Sequence, residues 1–264
     1  MGGQAGADLG VRYIESMLDD PNSGVLLPAG MLLEVIQGEG GVNCVPDGWL
    51  RDIRRLTERH GVPLILDEVQ TGLGRTGRLY AFQHAGVTPD VLVLSKAIGG
   101  GLPLSVVLYR RDLDQWRPGA HAGTFRGNQL AFVAGAATIR YVREQGLDAN
   151  AAEMGRVLCA ELEAIAGEEP CIGDVRGRGL MIGVEIVETS RDAAIVDLPS
   201  ASGKLARAIQ HECLRRGLIV ELGGRNSAVV RMLPPLIVTS SDVESIVDRF
   251  RDAVKGAVRG TASV

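Results

Sequence analysis

Lysine is nearly missing from this chain: of 28 basic residues only Lys96, Lys204 and Lys255 are lysines, so each is worth locating. Positive charge is not in excess either. The 28 basic residues meet 32 acidic ones, and a net charge of −4 gives no electrostatic footprint for nucleic acid or an anionic membrane. No apolar run approaches the ~18 residues that a membrane span needs. The four cysteines, Cys44, Cys159, Cys171 and Cys213, are widely spaced and form no C-x-x-C pair. With no charged n-region and apolar h-region at the start, a reducing cytoplasm is the default compartment. His60, His84, His121 and His211 are never four apart and none adjoins a cysteine pair, so no metal-ligand spacing is present. G-x-S-x-G, S-x-x-K and Walker A motifs are all absent.

What is there is a globular composition. Hydrophobic residues make up 45%, charged residues 23%, and mean hydropathy is +0.12, which excludes general disorder. A length of 264 residues implies one large or two modest domains and enough chain for a core without staples. The 35 glycines, about 13% of the chain, imply many backbone positions that need freedom from a Cβ.

Short apolar runs alternate with helix-period segments. Residues 1–7 carry neither a helix cap nor a strand pattern, so the chain opens like the middle of something. The first periodic segment is Leu9 to Leu18, closed by Asp19-Asp20-Pro21. Leu32 to Ile36 is predicted as a strand. A helix follows from Pro46-Asp47 to His60-Gly61, with Leu50, Ile53 and Leu56 on one face, Asp47 as N-cap and Gly61 as the stop. Pro63 to Leu66 and Asp90 to Leu94 read as strands buried on both faces, and Leu104 to Tyr109 as a third strand. Helices are predicted over Gln129–Glu144 and Ala151–Ala166. Strands separated by helical stretches argue for an α/β sheet with parallel strands.

From about Ala151 the order changes to a strand at Leu180–Val187, a helix at Gly203–Arg216, strands at Leu218–Glu221 and Val229–Met232, and a closing helix at Ser241–Val258. That order suits a smaller α+β domain, so the expected division is 1–150 and 151–264. A polar loop is expected between Glu188 and Ser202, fraying over Gly260–Val264, and a turn at Gly177-Arg178-Gly179. No internal repeat is evident.

In open α/β sheets ligands collect at the carboxyl ends of strands. Two such ends carry ionisable residues: Asp67-Glu68 after Leu64-Ile65-Leu66, and Ser95-Lys96 after Val91 to Leu94. Asp67 and Glu68 are adjacent, so on a strand they point to opposite faces and cannot act as a glycosidase pair. Asp67 can equally be a turn cap. Lys96 can be a surface lysine, but it follows four apolar residues and precedes three glycines. A lysine desolvated against apolar walls exposes a free amine to carbonyl compounds, which is Schiff-base chemistry.

The block Asp67 to Gly77 (DEVQTGLGRTG), with Ser95-Lys96-Ala97 and its glycines, resembles the class III pyridoxal-phosphate aminotransferases of fold type I. Ile36 to Gly41, Thr124 within His121–Asn128, and Val230-Arg231 before Pro234-Pro235 appear in family order. Gly123–Gln129, Arg216–Gly224 and Val229–Thr239 look closest to the diaminobutyrate:2-oxoglutarate aminotransferases. The resemblance implies a mostly parallel large domain, incomplete at its start, followed by a smaller α+β domain. It implies pyridoxal 5'-phosphate as cofactor, with Lys96 holding it as a Schiff base and shuttling the proton. Asp67 would pair with the pyridine nitrogen and Gln70 would sit near the ring hydroxyl. Thr124 would reach the phosphate of a neighbouring subunit's cofactor, which implies a homodimer. Arg231 would clamp the α-carboxylate of 2-oxoglutarate or glutamate, and Glu39 would cover Arg231 while the diamine is bound.

Plainer roles remain for three of these residues: Thr124 as a loop residue, Arg231 paired with a surface acid, Glu39 as a turn cap. The sequence departs from the family at Val35, where many members have proline. Family members also carry, before the position of Met1, a part that supplies the phosphate loop and a ring-stacking aromatic, and the resemblance implies a chain without it. The expected reaction moves the 4-amino group of L-2,4-diaminobutyrate to 2-oxoglutarate. Other expectations are an ornithine or 4-aminobutyrate donor, or an incompetent subunit that pairs with a separate N-terminal half.

Overall fold

The structure is a computed structural model and describes residues 3–188 and 200–261. Along the chain run α1 (Gly3–Asp19), β1 (Met31–Glu34), the two-residue strands β2 (Ile36–Gln37) and β3 (Asn43–Cys44), α2 (Asp47–His60) and β4 (Leu64–Asp67). Then come β5 (Val91–Leu94), β6 (Val106–Tyr109), α3 (Gln129–Glu144), α4 (Leu147–Glu168), β7 (Ile172–Arg178) and β8 (Met181–Ile186). The chain closes with α5 (Gly203–Arg215), β9 (Glu221–Gly223), β10 (Val229–Met232) and α6 (Ser240–Thr261). Two compact units form. One comprises Met1–Val35, Val45–Leu73 and Leu79–Gln145; the other comprises Ile36–Cys44, Gly74–Arg78 and Gly146–Val264.

In the first unit the sheet order is β1-β4-β5-β6. β1 and β4 pair in parallel, as do β4 and β5. β6 runs antiparallel to β5, contrary to the parallel reading of the third apolar run. The link from Leu94 to Val106 holds only a 3-10 turn and a glycine-rich loop, and a parallel return needs a longer crossover. Two-faced burial of β4 and β5 also fails on one face. Leu64, Leu66, Leu92 and Leu94 are buried against Leu50, Ile53 and Leu56 of α2, whereas Ile65, Val91 and Val93 are half-buried.

α2 keeps its predicted limits, and Gly61 stops it in the left-handed conformation at φ 65°. The cap differs: Pro46 occupies the N-cap with no side-chain bond, and Asp47 is the first helical residue, where its charge still faces the helix dipole. Residues 3–19 are one helix, α1, whose Val11, Ile14 and Leu18 pack on the same core, so helix starts well before the periodic segment read from sequence. α3 begins at Asn128, whose Oδ1 accepts from the amides of Leu130 and Ala131 at 3.0 and 3.3 Å.

The second unit holds the antiparallel sheet β7-β8-β10-β9. Alternation along β8 sends Ile182, Val184 and Ile186 into the core with α4, α5 and α6, among Leu158, Ile209 and Phe250. Met181 faces the other way, onto Ile36 and Val42 of the small β2–β3 hairpin. β7 was not expected: Gly177 and Arg178 belong to it, and the turn is Gly179-Leu180. The strand expected at Leu218–Glu221 lies later, at Glu221–Gly223, because the register opposite β10 selects those residues. The helices expected at Ala151–Ala166, Gly203–Arg216 and Ser241–Val258 appear as α4, α5 and α6. Most of the polar loop expected between Glu188 and Ser202 lies outside the described residues, as do the last residues of the tail, although α6 runs to Thr261.

Candidate active site

Asp67 closes β4 and Lys96 follows β5 by two residues, so both leave the same end of adjacent parallel strands. Asp67 is half-buried, and its Oδ1 accepts from the Val69 amide at 2.8 Å. The turn-cap reading is therefore correct as far as it goes, and the bond fixes how the carboxylate is presented. The neighbouring Glu68 is buried. Its Oε2 accepts from Thr71 Oγ1 and from the Ala81 amide, both at 2.8 Å, and its Oε1 accepts from the Phe82 amide at 2.9 Å. Burial pushes the Glu68 carboxyl above the ordinary range, against the pull of those three donors. Glu68 thus staples residues 68–71, including half-buried Gln70, to residues 81–82. Sequence reading treated Glu68 only as the wrong half of a pair; its role depends on amides 13 and 14 positions away.

Lys96 opens a 3-10 turn, Lys96–Gly99, and adopts φ 51°, a left-handed conformation that costs a lysine on the order of 1 kcal/mol. The turn is held from both sides. Ser95 Oγ lies 3.0 Å from both the Leu104 carbonyl and Ser105 Oγ. Behind it, Gly135 of α3 approaches so closely that a Cβ there would sit 2.3 Å from the Ile98 carbonyl. The lysine side chain is exposed, so the apolar walls expected around it are not supplied by the described residues. Thr124 belongs to neither group: it lies on the exposed turn 124–127 before α3.

The carboxylate–amine pair at one sheet end fits pyridoxal phosphate: an oriented acid for a ring nitrogen, and a primary amine for an aldehyde.

In the second unit the arrangement is different. Val230 and Met232 of β10 enter the helix-side core, so Arg231 between them points to the sheet's other face, where the β2–β3 hairpin lies. Arg231 is 4% exposed. Its Nη1 donates to Glu39 Oε1 at 2.8 Å and its Nη2 to Glu221 Oε2 at 2.7 Å. Nε is buried with no acceptor among the described residues. Glu39 sits in the hairpin turn between β2 and β3, and Glu221 stands directly opposite Arg231 in the β9–β10 ladder. Gly223 makes room: a Cβ there would lie 3.0 Å from Arg231 Cδ and Nε. Beyond Arg231, Arg75 Nη1 donates to the Leu180 and Pro234 carbonyls at 3.0 and 2.5 Å, and burial pushes its pKa down to about 10. The expected Glu39–Arg231 pair is therefore formed, and Glu221 is a partner that sequence reading missed.

Residues 6–254 match the family model of the class III aminotransferases. The chain is 53% identical over 245 residues to the diaminobutyrate–2-oxoglutarate aminotransferase of Rhizobium meliloti, covering 93% of this chain and 52% of that protein. It is 44% identical over 259 residues to the enzyme of the same name from Haemophilus influenzae, covering 98% and 57%. It therefore spans about half the length of the curated relatives it matches. Among solved structures, an ornithine aminotransferase from Toxoplasma gondii with partial PLP occupancy at its active site superposes with a TM-score of 0.82. That pair shares 32% identity over 95% of this chain and 55% of the other. An acetylornithine aminotransferase from Elizabethkingia anophelis gives 0.79 and 30% identity, over 93% and 58%. By sequence match and by fold, the chain belongs to the class III aminotransferases.

Proposed function

We propose that this chain carries the reactive lysine and the carboxylate-recognising arginine of a pyridoxal-phosphate transaminase. The reaction moves the 4-amino group of L-2,4-diaminobutyrate to 2-oxoglutarate, giving aspartate 4-semialdehyde and glutamate. The observation that carries this reading is the placement of Asp67 and Lys96 at one end of adjacent parallel strands. Identity of 38 to 53% to proteins named for the diaminobutyrate reaction favours that donor. Ornithine is the second reading, supported by ornithine aminotransferases among the similar structures at about 30% identity.

The cofactor, when bound, supplies an aldehyde and an electron-accepting ring. Asp67 would keep the ring nitrogen protonated, an effect of ~1–3 pKa units or roughly 1.4 to 4 kcal/mol. Lys96 would supply the amine that holds the aldehyde and would serve as the proton carrier of the reaction. Gln70 would hydrogen-bond near the ring hydroxyl. Arg231 binds the α-carboxylate of 2-oxoglutarate or glutamate, a two-pronged task suited to a guanidinium, and Glu39 covers it while the diamine reacts.

Thr124 serves the cofactor phosphate of a second subunit. A homodimer is supported by the apolar surface from β6 to α3, where Trp116, Phe125, Leu130, Phe132 and Val133 are exposed. Four free cysteines and the lack, among the described residues, of any helix long and apolar enough to cross a membrane support a cytoplasmic setting.

Borohydride treatment of the chain with excess pyridoxal phosphate, followed by peptide mass analysis, tests the reading. A reduced adduct on Lys96 is expected, and an unmodified Lys96 in folded protein would overturn it. Gel filtration of the same sample reads the partner: a dimer of the chain is expected, whereas assembly only with a separate N-terminal half would replace the homodimer.

A further inference from the structure

Arg231 has two carboxylates, and the reaction proposed above needs only one to cover it. Each Nη of the guanidinium meets a different glutamate, from a different element: Glu39 from the hairpin turn at 2.8 Å and Glu221 from β9 at 2.7 Å. One cation against two carboxylates leaves the cluster with a net negative charge. The arginine is buried while both glutamates reach it with side chains about 70% exposed (72% and 69%), so the acids form the outer lip of the cluster. Nε, packed over Gly223, has a proton with no acceptor among the described residues. A planar carboxylate taking Nε and Nη2 side by side would satisfy it, and Glu221 stands on Nη2.

We propose that Glu221 is a second acidic gate on Arg231 and a specificity-determining residue. With both glutamates in place, the cluster favours a substrate end that bears an ammonium group. For a dicarboxylate to reach the guanidinium, Glu221 as well as Glu39 must leave it. This rests on the transaminase reading, in which the enzyme accepts in turn a net cationic diamine and a dianionic 2-oxo acid. A neutral arginine–glutamate pair would not discriminate between them by charge. The second carboxylate does: its register on β9 sets it opposite Arg231, and its exposed side chain is free to swing off the guanidinium into solvent.

The test uses the full chain without cofactor and two probes, glutarate and L-2,4-diaminobutyrate, titrated by calorimetry into wild type, Glu221→Gln, Glu39→Gln and the double variant. Glu221→Gln is isosteric and exposed, so the fold is expected to be kept, and a thermal melt checks this. Glutarate should bind about tenfold tighter to Glu221→Gln and tighter still to the double variant, and diaminobutyrate several-fold weaker. Glu221→Asp should restore part of the wild-type preference. A structural role would shift both probes the same way or neither, and either result overturns the proposal, as does absence of glutarate binding to the double variant. Borohydride trapping at Lys96 is read separately. Trapping without opposed shifts rejects the gate alone, whereas opposed shifts without trapping reject the transaminase reading and leave a charge-selective ligand site.

Discussion

The two units place reactive groups by different means. In the first, Asp67 and Lys96 stand where parallel strands stop, and backbone turns present them: an Asx-type bond to Val69 for one, a left-handed residue at φ 51° for the other. In the second, Arg231 lies inside a strand, buried by the sheet and aimed by strand alternation, with carboxylates arriving from elements on either side. A strand end gives access and demands local strain or capping to hold a side chain. A strand middle gives rigidity and demands that a buried charge be paired. The lysine is accordingly exposed and the arginine enclosed.

The comparison is broken most severely at Lys96. Lys96→Ala should abolish borohydride trapping of pyridoxal phosphate at this site, since the other two lysines, Lys204 and Lys255, belong to the second unit; peptide mass analysis reads the loss. Asp67→Asn comes next. Asparagine can still accept from Val69, so the turn survives while the charge goes, and cofactor affinity or half-reaction rate should fall by roughly 10- to 1000-fold, as a shift of ~1–3 pKa units implies. A spectral titration measures it.

Stability offers a third contrast. Asp90 in the first unit is buried; burial opposes its charge, but hydrogen bonds from Arg54 and the Leu64 amide, with the charges of Arg54 and Arg110, hold its carboxyl below the ordinary aspartate range. A depressed carboxylate contributes stability that is complete above the ordinary value and is lost as pH falls through the depressed one. Asp90→Asn should therefore cost roughly 3 kcal/mol at neutral pH and flatten the acid limb of a urea-melt series below about pH 4. The smallest effect is expected at Gly223→Ala. Its Cβ would press on Arg231 Cδ and Nε and on the Glu39 carbonyl, each at 3.0 Å, so the neighbours must yield by a few tenths of an ångström. A loss of about 1 kcal/mol in the melt is expected, with weaker glutarate binding.

Much of this was legible along the chain. Gly61 stopped α2 where a glycine should, and Leu50, Ile53 and Leu56 faced the core as their spacing requires. The strand ends bearing Asp67 and Lys96 followed from apolar runs alone. The antiparallel turn of β6 was not legible, because an apolar run carries no direction. The register that puts Glu221 against Arg231 was missed for a similar reason: the strand was expected to end at Glu221, and the ladder begins there. Nor could local pattern show that residues 36–44 and 74–78 pack with the second unit while their neighbours pack with the first.

The sequence by itself determined which functional groups are available: one lysine after an apolar strand, two adjacent acids at the end of its neighbour, one arginine inside an apolar strand. Those are properties of a few consecutive residues, set by period and chain order. Only the tertiary structure decided who partners whom. It gave Glu68 its three donors, held the Lys96 turn against α3, and set two carboxylates on one guanidinium. Each of those contacts joins residues separated along the chain, and the closing of loops and the register of strands bring them together.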